Sequence, residues 1–276
     1  MTNVLTVLQH DTEVRYEIPR SKRVRVIRTV PDSYKDEPKN VVVLTTMTHL
    51  AAVSEFVRFA NSRHRLLALC VREDAEAHAL PQVLRLSNVR TLRNMLVHSG
   101  MGPSQRVVDA WRLGAQDYLI ADATRVGDKL IVVNCAMDSF EVPFEAIPAL
   151  KPLGDRERSD FTIADDGSYL HWSSADVHLD LDAIRYYTDP EWRAEQDQER
   201  LVADVGFGKA IASLRRESGL RQADIGSLSE RQLRRIEKGS RPRLESLKAL
   251  AEAHGVSLND YLNRLAEVMS QLPKTS

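Results

Sequence analysis

The chain lacks most of what would direct a protein out of the cytoplasm. It has 2 cysteines in 276 residues. Cys70 and Cys135 lie far apart, without C-x-x-C spacing and each within an apolar run, so two buried, reduced thiols are expected and a disulfide framework is excluded. Long apolar runs are missing too: residues 41–44 and 66–71 fall far short of the roughly 20 that a membrane-spanning helix needs. No basic-then-apolar leader precedes a cleavage site. A cytoplasmic protein is the expectation.

Net charge is nearly absent as well, since 38 Lys and Arg against 39 Asp and Glu leave −1. That balance hides an asymmetry. Residues 206–265 hold 12 Lys/Arg and 7 Asp/Glu, which leaves 26 and 32 for the rest. A basic segment on an acidic body suits a polyanionic partner at one end. With 43% hydrophobic and 28% charged residues, the composition is that of a globular protein able to bury a core. At about 150 residues per domain, the length predicts two domains or three small ones.

Residues 1–115 read as a mixed α/β region. Residues 4–8, 14–18 and 23–30 alternate like short strands, punctuated by Pro19 and Pro31, and residues 41–44 form a β-branched buried strand. Thr48 is expected to cap a helix whose apolar stripe is Leu50, Val53, Phe56, Val57 and Ala60. Residues 66–71 fit a strand or a buried helical segment equally well. Residues 83–97 are predicted helical, ended by Gly100 and Gly102. Pro103 opens a further helix with Val107, Val108, Trp111 and Leu113 apolar.

Residues 116–200 read as a small α/β body domain built on antiparallel sheet. Strands are expected at 118–125, 129–135 and 140–144, with turns at Gly127-Asp128 and Asp138-Ser139. Asp165-Asp166-Gly167 marks a hairpin between residues 160–164 and 169–172. Beyond it, Val177, Leu179 and Leu181 would face a core while Asp176, His178, Asp180 and Asp182 face out. With His171, that outward row carries metal-ligand types about 7 Å apart on alternate positions. A solvated acidic face is the preferred reading, so no metal and no cofactor is assigned. Residues 191–204, charged and free of Gly and Pro, are expected as a connecting helix.

Residues 201–276 read as all-helical, and their centre is residues 229–243, with six Lys/Arg against two Asp/Glu. Ser229 is placed to cap a helix and Gln232 to complete a capping box. Leu233 and Ile236 share an inward face, leaving Glu230, Arg231, Gln232, Arg234 and Arg235 outward. Gly239 is the expected left-handed stop, and Pro242 prevents resumption. Before this helix, Phe207, Ala210, Ile211 and Leu214 stripe a first helix ended by Gly219, and residues 221–225 make a short second. After it, Leu244, Leu247, Leu250 and Ala251 stripe a fourth, stopped by Gly255. Ser257 and Asp260 open a fifth. Five short helices with a basic third are the makings of a helix-turn-helix. The expected fold class is α+β: a mixed N-terminal region and an antiparallel-sheet middle module, followed by an all-α helix-turn-helix domain.

Several of these stretches resemble known families. Gly219-Leu220-x-Gln222, Ser229, Arg234-Arg235-Ile236-Glu237-Lys238-Gly239 and Leu247-x3-Ala251-x3-Gly255-Val256 resemble the Cro/C1-type (phage repressor-like, XRE family) DNA-binding domain. The resemblance implies a transcriptional regulator binding double-stranded DNA, as a homodimer on a two-fold operator. It implies that Gln222 lies near a phosphate, that Glu230, Arg231, Gln232 and Arg235 approach base edges, and that Arg241 and Arg243 hold the backbone. Ser229, Arg234 and Lys238 complete the DNA-binding set, and Arg215 would pair with Glu237. Residues 219–237 are three residues shorter than the usual pattern, and the loop from Gly239 to Leu247 is one shorter.

Residues 128–200, with Asp-Gly-Ser-Tyr-Leu-His-Trp, Asp-Val-His-Leu-Asp-Leu-Asp and Asp189-Pro190, resemble a small bacterial α/β domain of unknown function sometimes found ahead of a helix-turn-helix. That implies a body for dimerisation or for sensing a small-molecule or protein effector. Residues 111–120 are similar to the late helix-to-strand corner of receiver domains, but no convincing acidic pocket and phosphoacceptor precede them. Arg93-Asn94-Met95-Leu96-Val97-His98 resembles the signature of the helical HEPN ribonucleases. It implies His98 as general base on a ribose 2′-OH and Arg93 as stabiliser of the phosphorane. A non-enzymatic regulator is the main expectation. The alternative is a ribonuclease, or a toxin–antitoxin component, with an autoregulatory DNA-binding domain.

Overall fold

Short apolar runs separated by helices pair in parallel in the first part of the chain. In the computed structural model, which describes residues 4–10, 16–18, 22–31 and 38–271, five strands make one parallel sheet. They are β1 (Leu5–Gln9), β2 (Val24–Ile27), β3 (Asn40–Thr46), β4 (Leu66–Arg72) and β5 (Met95–His98), in the order β2-β1-β3-β4-β5. Val41 and Val43 of β3 face helices α1 (Leu50–Ser62) and α2 (Leu80–Leu86), while Val42 and Leu44 face α3 (Gly102–Leu113). Both faces are covered, so the strand reads as an unbroken apolar run rather than an alternation. Cys70 and Cys135 are buried as free thiols, each pushed up to about 12 by burial.

Three expectations change in this region, and one left open is decided. Residues 66–71 are strand. Residues 83–97 are not one helix: α2 stops at Leu86, Asn88 takes a positive φ of 52°, Val89 turns into the core, and residues 95–98 become β5, paired from Leu69↔Met95 to Arg72↔His98. Thr48 does not cap α1, whose N-cap residue is His49. Its N–H and hydroxyl both donate to the Asp74 carboxylate beyond β4, the N–H at 3.1 Å. Of the strand expected at 14–18, residues 14 and 15 lie outside the described residues, and 16–18 are not in a strand.

Two antiparallel sheets follow. One holds β6 (Ile120–Val126), β7 (Lys129–Asn134) and β8 (Ser139–Pro143), and the other β9 (Thr162–Ile163), β10 (Leu170–Trp172) and β11 (Val177–Leu179). They share a core with helix α4 (Leu181–Thr188) that includes Leu130, Val142, Phe144, Trp172, Leu179 and Ile184. The turn at Gly167 joins the sheets, its carbonyl accepting the Ile120 N–H at 2.7 Å. With φ at +79° and the Ile120 oxygen 2.5 Å from where a Cβ would stand, that turn requires glycine. The strand expected through Leu181 ends at Leu179. Asp180 instead caps α4, its carboxylate accepting the Ala183 N–H at 2.7 Å, and Asp182 lies in the first helical turn.

The chain divides into two compact units, Met1–Asp189 and Pro190–Ser276. In the second, the connecting helix and the first domain helix are one continuous helix, α5 (Pro190–Glu217). It packs with α6 (Glu230–Glu237), α7 (Leu244–Ala253) and α8 (Leu258–Gln271) around Ile211, Ile225, Leu233, Leu250, Tyr261 and Leu265. Among the described residues, no helix is long and apolar enough to cross a membrane.

Candidate nucleic-acid interface

The short helix α6 is held at both ends by its own sequence. The Ser229 hydroxyl accepts the Gln232 N–H at 3.2 Å, while the Gln232 side-chain oxygen accepts the Ser229 N–H at 3.1 Å and the Ser229 hydroxyl at 2.9 Å. This is the expected capping box. At the other end Gly239 takes φ +103°, and the Gly239 and Ser240 N–H groups donate to the Ile236 and Arg235 carbonyls, both at 2.9 Å. That pattern is a Schellman stop, which satisfies carbonyls the helix leaves open. Leu233 and Ile236 are buried, while Glu230, Arg231, Gln232, Arg234, Arg235 and Lys238 are exposed. Four cations and one carboxylate therefore share the exposed surface of eight residues and their C-cap.

What precedes α6 explains how the shortened spacing is accommodated. The expected second helix is a single 3-10 turn, Gln222–Asp224. Arg221 closes it, donating its backbone N–H and guanidinium to the Asp224 carboxylate and holding that carboxyl below its ordinary range. Ile225 then enters the core. The second helix expected at residues 221–225 is reduced to this turn, and α6 follows at Glu230–Glu237.

A buried brace fixes α6 to α5. Arg215 donates from Nε to Glu237 Oε1 at 2.5 Å, from Nη2 to Oε2 at 3.2 Å, and from Nη1 to the Leu220 carbonyl at 2.7 Å. The expected Arg215–Glu237 pair is present. Gln222 belongs to the same network, donating from Nε2 to Glu237 Oε2 at 2.6 Å. Beside the brace α5 comes so close to α6 that a Cβ on Gly208 would lie 2.5 Å from the Ile236 carbonyl oxygen. Glycine is needed there for the approach.

On the exposed side, Gln232, Arg235, Arg241 and Arg243 line one cleft of about 310 Å³ with Ser240, Pro242 and Ser246. The cleft opens at the start of α7, whose N-cap residue Arg243 makes no side-chain capping bond. A helix start offers free N–H groups and the positive end of the dipole, and arginines around it complete an anion site. Arg241 already has a partner within the unit, its Nε lying 2.9 and 3.0 Å from the Asp204 carboxylate oxygens on α5. Ser240 and Ser246 were not among the residues singled out from the sequence. Ser246 carries a usable signal, its place in the first turn of a helix after Pro242. Asp204 carries none, because its contact spans 37 residues.

Arg93 and His98 do not form the arrangement their spacing implied. Arg93 lies exposed in a bend ahead of β5, and His98 is in that strand, 4% exposed. Both imidazole nitrogens have partners, Nε2 with the Ser104 hydroxyl at 2.7 Å and Nδ1 with the Gly100 carbonyl at 2.6 Å. The ribonuclease signature needs both residues on one helix, and pairing with β4 removes that helix.

The helix-turn-helix family matches residues 211–261. No curated protein and no solved structure matches the chain. The matched segment holds the 3-10 turn, α6, the buried brace and the arginine-lined cleft, and residues 211–261 are a helix-turn-helix domain of the Cro/C1 type.

Proposed function

We propose that the protein is a sequence-specific, non-enzymatic transcriptional regulator that binds double-stranded DNA in the cytoplasm as a homodimer. The observation that carries this reading is α6 itself: capped, stopped and braced from behind, with Arg231, Arg234, Arg235 and Lys238 exposed. A helix-turn-helix of this kind lays its recognition helix in the major groove, and dimers place two such helices about one turn of DNA apart. Arg231 and Arg235 are the base-reading candidates, since arginine reads guanine bidentately for roughly 1–3 kcal/mol per contact. Arg234, Lys238, Arg241 and Arg243 serve the phosphates, so affinity falls steeply with salt. Glu230 sets which bases are refused. Gln222 acts behind the interface, through Glu237. In the first unit, a cavity of about 790 Å³ lined by Glu17, Gln105, Arg106 and Asp165, among others, provides room for an effector.

The test is selection of bound duplexes from a random pool by the full chain, followed by affinity measurement. The wild type is expected to enrich a two-fold-related site, and Arg231→Ala with Arg235→Ala to lose about 2–6 kcal/mol on that site, from two contacts of the size above. Equal wild-type affinity for selected and random duplexes overturns the proposal.

A further inference from the structure

The β10–β11 hairpin sets two imidazoles face to face. In its antiparallel register His171 stands directly opposite His178, a position that brings Cβ atoms to about 4.5–5.5 Å. The rings are 4.2 Å apart between centroids and 15° from parallel. Between the strands, the turn ends at Asp176, a non-glycine residue with φ at 52°. Its carboxylate completes a triangle: one donor atom from each of His171, Asp176 and His178 lies within 4.8 Å of the others. Asp180 and Asp182, which the sequence pattern placed in the same row, are drawn away to the start of α4.

The three side chains are uncommitted. No side-chain hydrogen bond or ion pair engages any of them among the described residues, and their only ring neighbour besides each other is Tyr169, edge-on to His178 at 5.0 Å. The hairpin beneath them is anchored, because Leu170, Trp172 and Leu179 are buried in the core. Two imidazoles and a carboxylate on a preformed support are the donors that borderline divalent ions prefer, whereas Mg²⁺ and Ca²⁺ take oxygen sets.

We propose that His171, Asp176 and His178 form a binding site for a divalent transition-metal ion of the zinc type. Each strand supplies one ligand and the turn the third, so the ion clips the turn end of the hairpin. Three protein ligands leave a fourth tetrahedral position to water, and the site's exposure keeps that position accessible.

The experiment uses the full chain without an affinity tag, since its 8 histidines already give a background. Zn²⁺ is titrated against a colorimetric chelator, with Mg²⁺ in parallel, for the wild type and for His171→Gln, His178→Gln and Asp176→Asn. The expected result is one tightly bound Zn²⁺ per chain, no competition by Mg²⁺, and at least a tenfold loss of affinity in each histidine variant. The loss in Asp176→Asn is smaller, and asparagine tolerates the left-handed backbone. An unchanged near-ultraviolet circular dichroism spectrum establishes that the variants are folded. Co²⁺ gives an independent readout on the wild type alone, through tetrahedral absorption that Zn²⁺ displaces. Absence of stoichiometric uptake, or uptake equal in wild type and a His171→Gln/His178→Gln double variant, overturns the proposal.

Discussion

Arg106 in the first unit and Arg215 in the second are both buried, 9% and 7% exposed, and they are held in opposite ways. Arg106, on α3, donates from Nε and Nη2 to one neutral oxygen, the Ala121 carbonyl of β6, at 3.0 and 2.8 Å. Burial lowers its pKa, and Asp122 and Asp165 offset this only through their charge. Arg215 meets a full carboxylate, Glu237, and a carbonyl besides. A guanidinium tied to a backbone oxygen pins one helix to one strand, and its loss leaves behind only a neutral acceptor. A guanidinium matched to a buried carboxylate locks two helices, and its loss strands a charge. The second arrangement sits directly behind the proposed DNA-reading surface, where α6 must not drift.

The largest effect is expected from Arg215→Ala. It leaves the Glu237 carboxylate, 9% exposed, facing only Gln222. Breaking such a pair costs about 3–5 kcal/mol. Hydrogen exchange on the full chain would show it as lost protection in α5 and α6, with unchanged protection in β3 and β4. A loss below about 1 kcal/mol would mean that solvent already reaches Glu237 and that the contrast with Arg106 is false. Next comes Gly208→Ala, which drives a methyl against the Ile236 and Glu237 carbonyls. Overpacking of this kind costs up to about 3 kcal/mol, and DNA affinity is expected to fall with stability as α6 moves off α5. Full-strength binding would show that the brace alone places the helix.

Arg106→Leu is expected to cost about 1–3 kcal/mol, the penalty of one unsatisfied buried carbonyl, read as a lower urea midpoint for the first unit. A cost equal to that of Arg215→Ala would mean that the distant carboxylates matter more than the carbonyl. The smallest effect belongs to Tyr261→Phe. The Tyr261 hydroxyl is buried without a partner, and burial and then the Glu237 charge raise its pKa. Removing it is expected to leave thermal stability within about 1 kcal/mol or slightly higher. A clear loss would reveal a hydroxyl contact to the brace.

The parts of the molecule differ in how far their sequence discloses them, for physical reasons. The ends of α6 are local chemistry: Ser229, Gln232 and Gly239 act on backbone within a few residues, and the structure places each in the role read for it. The core stripe of α1 was legible for the same reason. Residues 95–98 were not, because β5 exists only through pairing with β4, and the three apolar residues Met95, Leu96 and Val97 carry no period of their own. At Asp180 two rules competed. Alternation ran on from Val177 through Leu181, yet an aspartate there also caps a helix, and the cap prevailed. The contact of Arg241 with Asp204 depends on how separate segments meet and has no local signature, whereas alternation placed His171 and His178 on one outward face without giving their register.

The capping box has a consequence for base choice as well as for folding. Both lone pairs of the Gln232 side-chain oxygen are occupied by Ser229, which leaves only its NH₂ group to face outward. A glutamine that reads adenine must both donate and accept, so with α6 in a major groove this one discriminates only between acceptors while the cap holds. On the proposed reading, replacing Ser229 would loosen the helix and free the Gln232 oxygen to accept from a base as well. Helix integrity and base choice are then coupled at this position through one side-chain oxygen.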